Sequence, residues 1–596
     1  MKMKQMPRRF GDFRKTEKSS NMSKLYTTIP APKVPRNVFN RTRPNSLTMP
    51  FQYCVPTMVE EILPGDLFHI GSETFARLLP MVAPVMNNMK ISNHAFFVPL
   101  RTINNHFAEF MFNNRHGDYS EVLPYTTTKV LYDLIDSLTD YDLCADIIRM
   151  YDFIGLPFRY KSIAVGGASN FVAQWYQDSW NNDVGRSSKR INLAPFFAYV
   201  KIWSEYFRDE NVEDDPFEVF EDQTTENVFD WTGNVSSKIN TYAENFAELI
   251  RLRRRAWAHD RFTSSLPFAQ RGPDVLLPVS GTAPVNINSG FISGSGNNPP
   301  AGDFNVIVNN PTPGSGPVTL HDSLVGKTPF EVNGTSNFPL NIGGSVNFDD
   351  ATLTTTINDF RRAERLQRWY ENSARGGIRP NEATLAHFGV KTPDATLQRA
   401  EFLGGQMQPI VVSEVAQTSS TDATSPQGNL AGKGTSYKGG LLCKGYFTEH
   451  GFVFVLTSSI VRANYWQGIP KMFSRMQRDE YYWPEFANLG EEPVYTKEIW
   501  AGSSVGEDEV FGYVPRYSDY KSAVGEVHGD MRSTLDQWTQ NREFANKPVL
   551  NSEFLFGNPS LSPFAVQSYF SDPIVVTINF NVKASRLMPF YGVPTI

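Results

Sequence analysis

The stretch Ile574-Val575-Val576-Thr577-Ile578-Asn579-Phe580-Asn581-Val582-Lys583 alternates apolar and polar side chains from Val576 to Lys583. Successive side chains of an extended strand point to opposite faces, so the pattern predicts a strand with one dry and one wet face. Lys90–Pro99 reads as another strand, ending in Ala95-Phe96-Phe97-Val98. Thr57–Leu63 runs into Pro64-Gly65-Asp66 and then Leu67–Ile70, which predicts a hairpin. Leu441–Phe447 and Phe452–Val461, on either side of Thr448-Glu449-His450-Gly451, predict a second one.

The composition agrees. The chain has 596 residues, 40% of them apolar and 20% charged, which describes a folded globular protein. Its 40 Pro, 42 Gly and 13% aromatics favour a β protein with long loops. Residues 104–260 look more helical. Phe196, Tyr199, Trp203 and Phe207 recur every three to four residues and predict one apolar helix face, with Pro195 in the first turn and Asn192 as cap. Asn358–Glu371 has similar spacing and stops at Gly376-Gly377.

Four segments follow: an extended basic arm over 1–50, a first part of the core with helical insertions over 51–280, an exposed insertion over 281–350, and a second part over 351–596. In the insertion, 11 Gly, 8 Pro and 11 Asn fill 30 of 70 positions. A turn-rich segment of that length belongs outside a compact core.

Charge is unevenly divided. The net charge of the chain is −6, yet residues 1–43 hold 12 basic and two acidic residues, a net of +10. The other 553 residues therefore carry 44 basic and 60 acidic groups, a net of −16. A basic arm on an acidic body points to a polyanionic partner. Lys2, Lys4, Arg8, Arg9, Arg14, Lys15, Lys18, Lys24, Arg36, Arg41 and Arg43, with Lys33, can neutralise phosphates without reading sequence. Phe10, Phe13, Tyr26 and Phe39 are interleaved as stacking groups. The plainer reading is a solubilising tail.

A second basic cluster, Arg251, Arg253, Arg254, Arg255 and Arg261 around Trp257, fits either phosphate contact or a salt-bridged interface. Residues 209–226 hold nine acids and no Lys or Arg, which reads as a solvated or subunit-facing surface.

Searches for chemistry end without a site. Gly502-Ser503-Ser504-Val505-Gly506 has the GxSxG spacing, but an acidic turn into a strand follows it where a helix is needed. Gly326-Lys327-Thr328 lacks the upstream glycine of a phosphate loop, since His321 stands there. The nine histidines show no metal spacing, and His94 and His450 read as structural. Three cysteines without a CxxC pair argue against a disulfide scaffold or structural zinc, and for a reducing compartment. No apolar run approaches about 18 residues, and no apolar segment follows the basic N-terminus. No catalytic residue, metal or cofactor is assigned.

Blocks in order along the chain then carry a family resemblance. They include Val59-Glu60-Glu61-Ile62-Leu63-Pro64-Gly65-Asp66 with Phe75-Ala76-Arg77, and Phe96-Phe97-Val98-Pro99. Glu205-Tyr206-Phe207-Arg208-Asp209, Asp260-Arg261-Phe262-Thr263-Ser264 and Gln270-Arg271-Gly272-Pro273 follow. His387-Phe388-Gly389-Val390, Pro426-Gln427-Gly428-Asn429-Leu430 and Met588-Pro589-Phe590-Tyr591-Gly592-Val593-Pro594 complete the series. With these the chain resembles the major capsid proteins of the microviruses, small icosahedral phages with circular single-stranded DNA, and most of all the gokushovirus-like branch. Residues 120–190 match poorly, and the arm is longer than the family suggests.

The resemblance implies a mainly β fold: an eight-stranded antiparallel jelly roll with long, partly helical insertion loops. It implies sixty copies in a T=1 shell around single-stranded DNA, in the virion, with assembly in the host cytoplasm. Implied partners are a small basic DNA-packing protein, a minor capsid or pilot protein and a host-surface receptor. Two rival functions fit the residues without the resemblance: a β-sandwich carbohydrate-active enzyme and a stand-alone single-strand-binding protein.

Overall fold

Ile574–Leu587 forms one continuous strand in a computed structural model of the chain, with Ile574, Val576, Ile578, Phe580, Val582 and Ala584 buried and the residues between them exposed. The structure describes residues 35–112, 122–156, 160–164, 171–175, 189–273, 275, 281–287, 291–292, 338–339, 342–348, 357–377, 379–416, 430–502, 509–565 and 572–591.

Ten strands build two sheets: β1 (Arg36–Asn40), β2 (Arg43–Met49), β3 (Val55–Ile62), β4 (Leu67–Leu78), β5 (Met89–Pro99), β6 (Glu401–Pro409), β7 (Val411–Ala416), β8 (Leu430–Tyr446), β9 (Gly451–Val461) and β10 (Ile574–Leu587). In the larger sheet β1 and β2 both lie on β10, followed by β4, β8 and β7. The smaller sheet runs β6-β5-β9-β3. All pairings within them are antiparallel. The two spatial orders, 2-10-4-8 and 3-9-5-6, wind the chain as a β-sandwich of jelly-roll type.

The sheets meet through aromatic and polar contacts. Phe68 of β4 and Phe97 of β5 both pack on Phe447. Asn93 Nδ2 of β5 donates to Thr74 Oγ1 of β4 at 2.8 Å, and Thr457 Oγ1 of β9 donates to Asn93 Oδ1 at 2.8 Å. A buried amide satisfied from both sheets fixes their register.

Both expected hairpins are corners instead. β3 pairs with β9 while β4 pairs with β8 and β10, so Pro64-Gly65-Asp66 carries the chain between sheets. Leu63 N donates to Asp66 Oδ2 at 2.9 Å, and Gly65 takes φ +89°. Residues 447–450 likewise pass from β8 to β9, which lie in different sheets. The corners are joined: Gly65 N donates to Phe447 O at 2.7 Å, and Phe447 N to Asp66 O at 2.9 Å. The turn residues were legible, but their partners are set by pairings hundreds of residues away.

Helices cover the smaller sheet: α1 (Thr128–Ser137), α2 (Tyr141–Ile154), α3 (Ala194–Tyr206), α4 (Pro216–Thr224) and α5 (Ala243–Ile250). β9 is buried almost throughout, as a strand covered on both faces must be. α3 packs on β5 and β9. It buries Phe196, Phe197, Tyr199, Val200, Ile202 and Trp203, so the single apolar face expected of it widens to most of its circumference. Asn192 Oδ1 accepts from Ala194 N at 2.9 Å, where a cap was expected.

The chain divides into two units, residues 1–269 with 374–596, and residues 270–373. In the second, Gly281–Ile287 pairs antiparallel with Ile342–Phe348, bringing the ends of the expected insertion together. The exposure expected of 281–350 lies outside the described residues. Helix α6 (Ile357–Gly376) forms as read and ends where Gly377 takes φ +88°.

Candidate functional site

The expected basic arm has a root in the sandwich. Of its eleven assigned cations, Lys2 to Lys24 lie outside the described residues, as does Lys33. Arg36, Arg41 and Arg43 lie within them, in or beside strands of the sandwich. β1 pairs with the C-terminal end of β10, Arg36 opposite Leu587, and β2 with its N-terminal half, Arg43 opposite Phe580. An edge strand offers unpaired backbone groups, and the segment after residue 35 is taken up by that edge.

Side chains lock this root. Arg41 Nε meets Glu60 Oε2 at 2.8 Å, and Arg43 Nη1 binds Glu60 Oε1. Arg43 Nη2 donates to Val59 O at 3.2 Å. Glu60 belongs to β3 of the other sheet and its side chain is only 1% exposed. Arg36 Nη1 donates to Ser585 O at 3.0 Å, and Phe39 stacks on Phe590 at 5.8 Å between centroids. These three arginines and Phe39 therefore anchor the arm. The overlooked partner was Glu60; two adjacent acids in a strand must place one inward, and an inward carboxylate needs a cation.

The second cluster is engaged within the subunit. Arg251 Nη2 meets Asp146 Oδ2 of α2 at 2.7 Å and its Nη1 meets Glu248 at 3.1 Å. Arg253 lies 5.0 Å over the Trp203 ring, and burial pushes its guanidinium down to about 10. Arg254 Nε donates to Tyr53 Oη at 2.9 Å. Arg255 Nη1 donates to Ser92 and Ser458 Oγ at 3.0 and 2.5 Å. Arg261 pairs with Glu498 at 2.5 Å, with both side chains buried. All five make contacts that tie helices, sheet and loops together inside one subunit. Their aromatic neighbours supply cation–π contacts that partly replace lost hydration.

The acidic run is tied down in part. Asp215 caps α4 by accepting from Phe217 N at 3.0 Å, and it also accepts from Ser204 Oγ at 2.6 Å. Glu210 pairs with Arg379 at 3.5 Å. Burial pushes the Glu213 carboxyl up to about 7.

Among the described residues no group of three or more His, Cys, Asp or Glu side chains could hold a metal ion. Burial and then Arg255 push His94 down to about 4, which keeps it neutral in the β5 aromatic cluster beside Phe96, Phe207 and Phe402. Ser503 and Ser504 of the GxSxG match, and Gly326-Lys327-Thr328, lie outside the described residues.

Comparison with known proteins gives consistent matches. The family described as Capsid protein (F protein) matches residues 27–183 and 170–596. Capsid protein VP1 of Chlamydia phage 1 is 32% identical, covering 96% of this chain and 98% of its own. Capsid protein VP1 of Bdellovibrio phage phiMH2K is 30% identical, covering 96% and 97%. Capsid protein VP1 of Spiroplasma virus 4 is 28% identical, covering 91% of each.

Proposed function

The chain belongs to the phage capsid protein (F protein) family, and on that premise we propose that sixty copies close a T=1 icosahedral shell around circular single-stranded DNA. It is a capsid protein of the microvirus type, and its place is the virion. The observation that carries the proposal is similarity to three phage capsid proteins along nearly the whole chain. Its activity is then assembly through several contact patches per subunit, with no reaction catalysed.

Within that shell the arm upstream of β1 turns inward to the genome. Nine basic and two acidic residues give positions 1–34 a net charge of +7, suited to non-specific, salt-dependent phosphate contact. A small basic DNA-packing protein shares that task, and a minor capsid or pilot protein joins the particle. Residues 281–350 project outward, where a host-surface receptor meets them. Electron microscopy of the purified full chain tests the central claim: particles of one uniform diameter are expected, and a protein that stays monomeric under all assembly conditions overturns it.

A further inference from the structure

The outer face of the larger sheet carries cations that make no ion pair among the described residues. Register places Lys583 of β10, His69 of β4 and Lys444 of β8 in one row across three adjacent strands. Eight residues further along β4, roughly 26 Å away at strand rise, Arg77 lies opposite Thr435, with Lys433 two residues along β8 on the same face. Lys583, Lys444, Arg77 and Lys433 are all exposed, and among the described residues none makes an ion pair or a side-chain hydrogen bond. Among the described residues Glu73 is the acid in register with them. Other cations of the described residues are engaged, as at Glu60, Asp146 and Glu498.

Aromatic rings lie between the two basic ends. Phe75 and Tyr437 are directly opposite on β4 and β8, and Tyr437 is 70% exposed. Tyr446 extends the series beyond Lys444; Thr577, Asn579 and Asn581 of β10 add small polar groups, and exposed Leu441, Val575 and Val411 lie on the same face. Uncompensated cations at both ends of a flat face, with rings between, are what a single-stranded polynucleotide needs: phosphates pair with the cations and bases stack on the rings. β1 begins with Arg36 opposite Leu587, four residues along β10 from Lys583.

We infer that this open sheet face is a second docking surface for the packaged single-stranded DNA. The inference rests on reading the chain as a shell around such a genome. A second copy of the chain is the rival occupant; four unpaired cations facing one acid favour the polyanion.

The test uses the full-length chain and a labelled poly-dT oligonucleotide, with binding followed by fluorescence anisotropy across a salt series. Removing one phosphate-binding cation flattens the log–log salt slope by about 0.7. The variant R77Q/K433Q/K444Q/K583Q is therefore expected to bind with a slope shallower by about 2 to 3. F75A/Y437A is expected to bind about tenfold more weakly at one salt concentration with its slope kept, since stacking carries no counterion release. All six positions are exposed on strands, so circular dichroism spectra should not change. An unaltered slope in the first variant overturns the inference. So does a variant that binds the oligonucleotide like the parent but no longer assembles, because the face then meets another subunit. Particle formation by the parent chain, scored separately by electron microscopy, tests the shell reading itself.

Discussion

Glu60 is buried while its two arginines are half in water, and this asymmetry decides what each substitution costs. The Arg41 and Arg43 side chains are 42% and 40% exposed. Glu60→Gln lets both guanidinium groups turn to solvent and should cost about 1–2 kcal/mol. Arg41→Gln with Arg43→Gln strands a carboxylate in the interior and should cost about 3–5 kcal/mol, as read by denaturant unfolding of unassembled subunits. Glu213 makes a pH-dependent prediction. Burial first, then Asp209, raises its carboxyl to about 7, against the opposing influence of Asp209 N–H, Arg208 and Arg253. A folded value above the unfolded one means that this contribution is fully present below about pH 4.5 and is lost as pH rises through about 7. Glu213→Gln should therefore shrink the stability lost between about pH 5 and pH 8, measured by unfolding at both. At this scale the sequence was least informative. The guanidinium of Arg251 looked like a surface cation because its partner Asp146 is 105 positions away.

β10 was legible almost to the atom, because a period of two reports a half-buried strand without outside information. The same alternation predicts unequal consequences for neighbouring positions. Phe580→Ala should cost about 3–5 kcal/mol, while Asn579→Ala should fall within about 0.5 kcal/mol; melting of both variants checks this. The helix at Ala194–Tyr206 was recognised, but its burial was underestimated, since its partners β5 and β9 come from distant segments. The corners at residues 64–66 and 447–450 were recognised as turns and assigned the wrong connection. A glycine at positive φ marks a reversal; whether the next strand returns to its neighbour or crosses to another sheet depends on which edges are already filled.

For the whole molecule, the arm and its root predict different effects of truncation. Removing residues 1–34 spares β1 and β2, so the subunit should melt unchanged while particles contain less DNA, read from their ultraviolet absorbance ratio. Removing residues 1–49 also takes both strands from β10 and strands Glu60, and should lower subunit stability sharply. Equal DNA content in the first truncation would count against a packaging role for the arm. The sandwich itself was reachable from pattern and family blocks together. The arm's root was not, because positions 36–49 are polar and Pro-containing, and only the waiting edge of β10 makes them strands.

The position of β10 also sets a timetable. β2 and β4 are neighbours only through it, yet some 500 residues separate Leu78 from Ile574. At roughly 5–20 residues per second a ribosome needs about 25–100 s to bridge that interval. Throughout it the early strands have no central partner, and the arm's root has no edge to join. A chain released before Ile574 cannot finish the larger sheet or fix the root of its arm. Completion of synthesis thereby becomes the checkpoint for entering a particle.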